Sequence, residues 1–367
     1  MKLLLLIIGI LTWSCDPFVT QFEDSEAAVS YSASSNTQAE TDISQLNVMT
    51  WNIRFGVGRL PWFGDSCGDN VIVQKSAVID TLIKIAEFIN TEDPDILLLQ
   101  EVDVSSKRTG YLDQVQWLLD HTNFNYGVYA SMWKADFIPS DGLGKVDAGN
   151  AILSKWPIDD AERIQLPLRG DQDALEQYFY LRRNILKSKI KLNDEKEIYA
   201  LCTHTTAFAT DDTKQKHIDK FYDVLASIDE NEIFVAGGDL NALTSTYIGI
   251  ERDFCEVDKC ADDVCDGDIQ DNLIYQGSYF NHLENEEELL NPLYSFYPAI
   301  PLENTNLPEN HTHSTWITSE DFVDSDGPLN RKLDYIFSSD PLTIGTTHQT
   351  PFYLSDHAPV SAILVLP

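Results

Sequence analysis

LNVMTWNI at residues 46–53 and ILLLQEV at 96–102 are short, nearly continuous apolar runs rich in β-forming residues, the pattern of strands buried on both faces. Between them, Val78, Leu82, Ile85 and Ile89 recur at helical spacing, which predicts a helix with one apolar face, and Pro94 follows to stop it. Each run ends on a polar residue that a core strand would normally avoid, Asn52 in the first and Glu101 in the second.

Working outward, the same kind of run returns at 126–133, 150–156, 185–192, 197–204, 233–240, 333–339 and 361–366, and each is expected to be a strand. A second helix is expected from about Asp211 to Ile228, with Ile218, Phe221, Tyr222 and Leu225 on one face. Many strands interleaved with few helices predict an α/β architecture of two packed sheets with helices outside. Residues 251–290 break the pattern. They are acidic, turn-rich and cysteine-bearing, and read as an insertion within a domain spanning 45–367. Its DDVCDGDIQD run (262–271) is a poor calcium loop, because Val264 and Leu273 stand where oxygen ligands are needed, and it reads as a solvated acidic loop.

Hydrophobic residues make up 43% of the 367 and aromatics 11%, which excludes a disordered chain. With 25 basic against 59 acidic residues the net charge is −34, a surface that repels polyanions at long range. The opening MKLLLLIIGILTWSC has one Lys before an apolar run too short to span a bilayer comfortably, and reads as an export signal. Residues 11–15 resemble a relaxed bacterial lipobox that would lipidate Cys15 and anchor the protein to the cell envelope; cleavage with plain secretion and an N-terminal anchor helix remain alternatives. Residues 16–44 lack periodicity and read as a flexible tether. Of the other cysteines, Cys202 lies in an apolar run and is expected to be a buried thiol, while Cys67, Cys255, Cys260 and Cys265 allow three disulfide pairings.

Polar residues collect at the tips of the apolar runs: Asn52, Glu101, His204, Asp239 with Asn241, Asp334, and Asp356 with His357. Any one of them is an ordinary strand end meeting water. Gathered on one rim, they would make a pocket rich in carboxylates with two histidines and two amides. Such oxygens select a hard cation such as Mg²⁺, and the histidines add proton transfer. HTHST (311–315) carries a His-x-His spacing that is weak grounds for a metal. The aromatics Trp62, Phe63, Trp133, Phe137 and Tyr178–Tyr180 read mainly as packing residues.

In chain order, TWNIRFG, LLLQEVD, AGNAILSKWPI, CTHTTAF, VAGGDLNA, LDYIFSS and LSDHAPV resemble the motifs of the endonuclease/exonuclease/phosphatase superfamily, from about residue 46 to the C-terminus. The resemblance implies a DNase I-like, four-layered α/β sandwich and metal-dependent hydrolysis of a phosphoester. Glu101 would be the principal Mg²⁺ ligand (Mn²⁺ a possible substitute), with Asn52 and Asp356 completing the metal side directly or through water. Asp239 would orient or deprotonate the attacking water, and Asn241 would hold a phosphate oxygen. His357, paired with Asp334, would donate to the phosphate, and His204 would serve the leaving oxygen. Asn150 and one of Arg182 or Arg183 would be further phosphate contacts.

The substrate is open at this stage. A phosphodiester of nucleic acid or a phospholipid headgroup leads, a sugar or inositol phosphomonoester follows, and a non-catalytic surface binding protein is the third reading. In the pancreatic-type nucleases an arginine lies two residues after the metal glutamate; here Asp103 holds that position and, with the net charge, disfavours duplex DNA. Arg108, Asp113 and Gln114 either line the substrate mouth or form a helix N-terminal turn. The chain is expected to act as a monomer.

Overall fold

The computed structural model describes residues 18–37, 39, 40, 42–60, 62, 63, 70–248, 286–314 and 329–367. Two seven-stranded sheets face each other. The first contains β2 (Val29–Ser32), β3 (Gln45–Asn52), β4 (Ile96–Asp103), β5 (Tyr126–Ile138), β6 (Gly144–Ser154), β13 (Leu342–Thr347) and β14 (Val360–Val365), in the order β13-β14-β3-β4-β6-β5-β2. The second contains β1 (Ser25–Ala27), β7 (Ile158–Gln165), β8 (Asn184–Lys191), β9 (Glu197–His204), β10 (Ile233–Asp239), β11 (Tyr297–Pro298) and β12 (Asp334–Ser338), in the order β1-β7-β8-β9-β10-β12-β11.

Alternation along the strands builds the layers. Leu46 and Val48 of β3, with Ile96 and Leu98 of β4, pack against Ile198 and Ala200 of β9 and Val235 of β10 in the core between the sheets. Their neighbours Met49, Trp51, Leu97 and Leu99 point the other way, against Val78, Leu82, Ile85 and Ile89 of α1 (Lys75–Glu92). Behind the second sheet, Ile218, Phe221 and Leu225 of α4 (Thr213–Ala226) cover Leu201, Phe234 and Ala236. The result is helix, sheet, sheet, helix, the four layers expected. Helix α1 ends as Asp93 turns left-handed (φ 44°) ahead of Pro94. Two shorter helices, α2 (Gln114–His121) and α3 (Ala174–Phe179), complete the helical elements used below.

Topology alone gathers the polar tips. Each sheet has one parallel pair bridged by a helix, β3–α1–β4 in the first and β9–α4–β10 in the second. Parallel neighbours end side by side, so Asn52 lies opposite Gln100 and Asp239 opposite His204. Strand β12 runs back antiparallel to β10 and starts where β10 ends, pairing Asp334 with Asp239. Strand β14 runs back along β3 with Val360 opposite Thr50, which sets Asp356 and His357 beside Asn52.

The tether expectation is corrected. Within 16–44, Ser25–Ala27 pairs with β7 and Val29–Ser32 with β5, so this segment adds an edge strand to each sheet. These strands are three and four residues long and largely exposed, too short and too polar to show periodicity. Strands β7 and β13, also unforeseen, are largely half-buried or exposed and polar, so they too lack a clear apolar pattern. The lipobox cysteine Cys15 and residues 249–285, with Cys67, Cys255, Cys260 and Cys265, lie outside the described residues. The end of the expected insertion does not: Leu289 and Leu290 are buried against the second sheet's helix layer. Cys202 is a buried free thiol, its pKa pushed up to about 12 by burial.

Candidate active site on the rim shared by the two sheets

Backbone strain marks the rim. Glu101 (φ 55°) sits where the β4–β6 register slips between Leu99 and Val102, a bulge that turns its carboxylate out of the ladder. Asn241 (φ 44°) and Arg54 (φ 45°), just past the ends of β10 and β3, are left-handed as well.

Asn52 joins the sheets. Its Nδ2 donates to Glu101 Oε1 at 3.1 Å and to Asp239 Oδ2 at 3.1 Å, while its Oδ1 accepts from the Arg54 amide. It therefore turns its amide nitrogen to Glu101 and holds that carboxylate. His204 Nε2 lies 3.1 Å from Asp239 Oδ2, and its Nδ1, which has no hydrogen-bond partner, lies 3.9 Å from Glu101 Oε1. His357 Nδ1 donates to Asp334 Oδ2 at 2.8 Å, and its Nε2 faces Asp239 Oδ2 at 3.5 Å. Thr312 Oγ1 takes the Asp334 backbone N–H, fixing where β12 begins. The Asn241 amide N–H donates to Asp239 Oδ1, and its side chain is anchored on the Thr205 carbonyl.

Electrostatics follow from this packing. Burial alone would drive the proton off His357, but Asp334 and Asp239 on either side raise its pKa to about 10, so it is a cation and a donor at neutral pH. Burial likewise would raise Asp239, yet His357 and His204 hold it well below the usual carboxylate range. Burial lifts Asp334, and the proton of that pair resides on His357.

The other expected contacts divide. Arg183 is buried at the rim, its Nη1 3.3 Å from the His204 carbonyl and its charge felt by Asp239 and Glu101. Arg182 turns away to the carbonyls of Tyr178 and Tyr180 and to Gln21, so of the two arginines only Arg183 lies beside His204 on the rim. Asn150 ties its amide nitrogen to Asn184, leaving Oδ1 without a partner. Asp103 does not face a ligand: it is fully buried and paired bidentately with Arg108, so its negative charge is not offered to a nucleic-acid backbone. Asp113 caps helix α2 and Gln114 bonds the Phe55 carbonyl, both structural roles. Among the aromatics, Trp62 packs on Phe55 and Phe63, and Trp133 bonds the Phe179 carbonyl, while Phe137 is exposed.

Two site residues were missed. Arg54, inside the TWNIRFG stretch, places Nε 3.4 Å from Asp356 Oδ2. His313, inside the HTHST stretch, lies against the His357 ring at 4.2 Å between centroids. The His-x-His pair does not act together, because His311 turns away to the Leu329 and Asn306 carbonyls.

Residues 49–357 match the Endonuclease/Exonuclease/phosphatase family. The chain belongs to that family. Solved structures agree on the fold: an endonuclease/exonuclease/phosphatase from Beutenbergia cavernae is 18% identical, with 88% of this chain and 72% of that one covered at a TM-score of 0.55. One from Bacteroides vulgatus is 15% identical, covering 89% and 100% at 0.51. An AP endonuclease from Archaeoglobus fulgidus is 15% identical, covering 88% and 100% at 0.50. No curated protein matches the chain. The family fold is that of phosphoesterases and nucleases. Glu101 and Asp356 are the site's solvent-reaching carboxylates, with 26% and 14% of their side chains exposed, whereas the Asp239 and Asp334 side chains are 1% and 0% exposed. Open carboxylate oxygens of this kind fit a hard divalent cation that keeps much of its water.

Proposed function

We propose that this protein is a Mg²⁺-dependent phosphodiesterase that hydrolyses a P–O bond of a nucleic acid or phospholipid headgroup by in-line attack of water. The observation that carries the reading is the division of labour around Asp239. This ionised carboxylate touches two histidines, one held as a cation and one with an open ring nitrogen.

Glu101 would hold the cation, with Asp356 on its far side and Asn52 orienting Glu101; when bound, the metal neutralises phosphate oxygens and so lowers the barrier to an anionic nucleophile. Asp239 keeps its negative charge inside a buried site and would orient or deprotonate the attacking water. His357 donates from Nε2 to a phosphate oxygen as negative charge grows, with Asp334 fixing the ring. The unpartnered nitrogen of His204 is the group available to the departing oxygen. Arg183 and Asn241 orient the phosphate. Hydrolysis of bis(p-nitrophenyl) phosphate with Mg²⁺ or Mn²⁺ and with EDTA, beside p-nitrophenyl phosphate, tests this. Metal-dependent cleavage of the diester supports it; cleavage of the monoester alone replaces it with a phosphomonoesterase, and inactivity on both leaves a binding protein.

The setting is part of the same proposal. The enzyme is exported as a monomer and held at the bacterial envelope by lipid on Cys15. Metabolic labelling with a fatty acid, lost in Cys15→Ser, would be the check, and an unlabelled, freely secreted wild type would overturn it.

A further inference from the structure

The two histidines of HTHST are equally buried and differently used. His311 spends both ring nitrogens on carbonyls, Leu329 at 3.2 Å and Asn306 at 3.3 Å. His313, only 3% exposed, has no hydrogen-bond partner among the described residues at either Nδ1 or Nε2. Its position is not loose, because its backbone bridges Arg331 on one side and His357 on the other. The ring is thereby fixed against His357, at 4.2 Å between centroids and 45° between planes. An imidazole carries at least one N–H in any protonation state, so a buried donor here goes unanswered until something binds.

The surroundings decide what binds. Nδ1 or Nε2 of His313, a carboxylate oxygen of Asp356 and a ring nitrogen of His357 all lie within 4.8 Å of one another, a spacing a metal could span. The charges argue otherwise. His357, the ring that His313 packs on, bonds Asp334 through Nδ1, and the guanidinium groups of Arg331, Arg59 and Arg54 act on the His313 ring. The carboxylate grouped with His313, Asp356, is paired with Arg54 at 3.4 Å, and Asp334 is paired with His357. In a chain of net charge −34, three guanidinium groups acting on one unpartnered ring suit it to an anionic oxygen.

We propose that His313 is a further substrate-binding residue, whose ring N–H donates to an anionic oxygen of the phosphoester on the Asp356–His357 side of the site. This rests on the phosphoesterase reading, and it assigns His313 a positioning role beside the donor His357. A phosphoryl group held there is gripped beside His357, and a substrate lacking an anionic oxygen at that position gains nothing from the contact.

The test uses the full-length protein and inorganic phosphate as the probe. His313→Phe keeps an aromatic ring against His357 but removes the donor, and is expected to weaken phosphate binding about tenfold, the scale of one hydrogen bond to a charged group. His313→Gln, which keeps a donor, is expected to stay within about threefold of wild type. In turnover the loss should fall on KM rather than kcat. If His313→Phe does not fold, the ¹⁵N resonances of the His313 ring in the wild type must move on phosphate addition. Unchanged phosphate affinity in folded His313→Phe, or unmoved His313 resonances, would overturn the proposal. So would loss of Mg²⁺ or Mn²⁺ affinity in His313→Phe without phosphate, which would make it a cation ligand. Phosphate binding that depends on His313 in a protein inactive on every phosphoester would instead sink the enzymatic reading and leave this one standing.

Discussion

The two strand–helix–strand units, β3–α1–β4 and β9–α4–β10, follow one plan and deliver opposite chemistries. Each ends two parallel strands side by side on the rim and covers its sheet with a helix. The first presents Asn52 and Glu101, a buried amide and a carboxylate that reaches solvent. The second presents His204 and Asp239, a buried pair 3.1 Å apart. The return strands repeat the contrast, with open Asp356 beside the first unit and sealed Asp334 beside the second. Burial separates a side suited to an exchangeable cation from a side suited to proton transfer. Bonds between the sheets, Asn52 to Asp239 and His357 to Asp334, make them one site.

If the contrast is right, damage to each half should read out differently. Glu101→Gln, on the open side, is expected to lower metal-dependent turnover by roughly a thousandfold or more with little change in thermal unfolding, since nothing in the core rests on that charge. A variant that keeps its rate would remove Glu101 from the metal side. His357→Ala is expected to cost about two to four orders of magnitude in kcat, the range for a positioned donor, with metal affinity near wild type. Calorimetric Mg²⁺ titration beside kinetics separates the two cases.

Stability should follow the same divide. Arg108→Ala strands the buried Asp103 carboxylate behind the first unit, and is expected to cost about 3–5 kcal/mol in urea unfolding. Against the second unit, His217 accepts the Thr206 N–H on Nδ1 and meets the Pro167 carbonyl through Nε2, and burial pushes its pKa down to about 4. The unfolded chain binds this proton near pH 6.5 and the folded chain does not. Stability is therefore whole above that pH and lost as pH falls toward 4, by roughly 3 kcal/mol in all. His217→Gln should flatten that acid limb of the urea midpoint against pH; an unchanged limb would assign it to other groups.

The central strands and both covering helices were legible because their residues are buried on both faces or along one stripe, which leaves a clear pattern. The site was legible for a related reason: Asn52, Glu101, His204 and Asp239 interrupt apolar runs where packing has no use for them. What escaped notice lacks that contrast. Ser25–Ala27, Val29–Ser32 and β13 are edge strands whose backbones pair while their side chains stay in water. Asp103 gave the wrong signal because its partner Arg108 is set by a turn, not by strand periodicity. His313 sits in a segment without periodicity, and only the fold shows that its ring reaches His357 while that of His311 does not.

The most direct test of the account is the Mg²⁺-dependent rate of bis(p-nitrophenyl) phosphate hydrolysis by the full chain beside Asp239→Asn, the residue both histidines and Asn52 converge on. Turnover is expected to be EDTA-sensitive and to fall by roughly a thousandfold or more in the variant, with both proteins folded by circular dichroism. Turnover that ignores EDTA, or that survives Asp239→Asn in a folded protein, would contradict it.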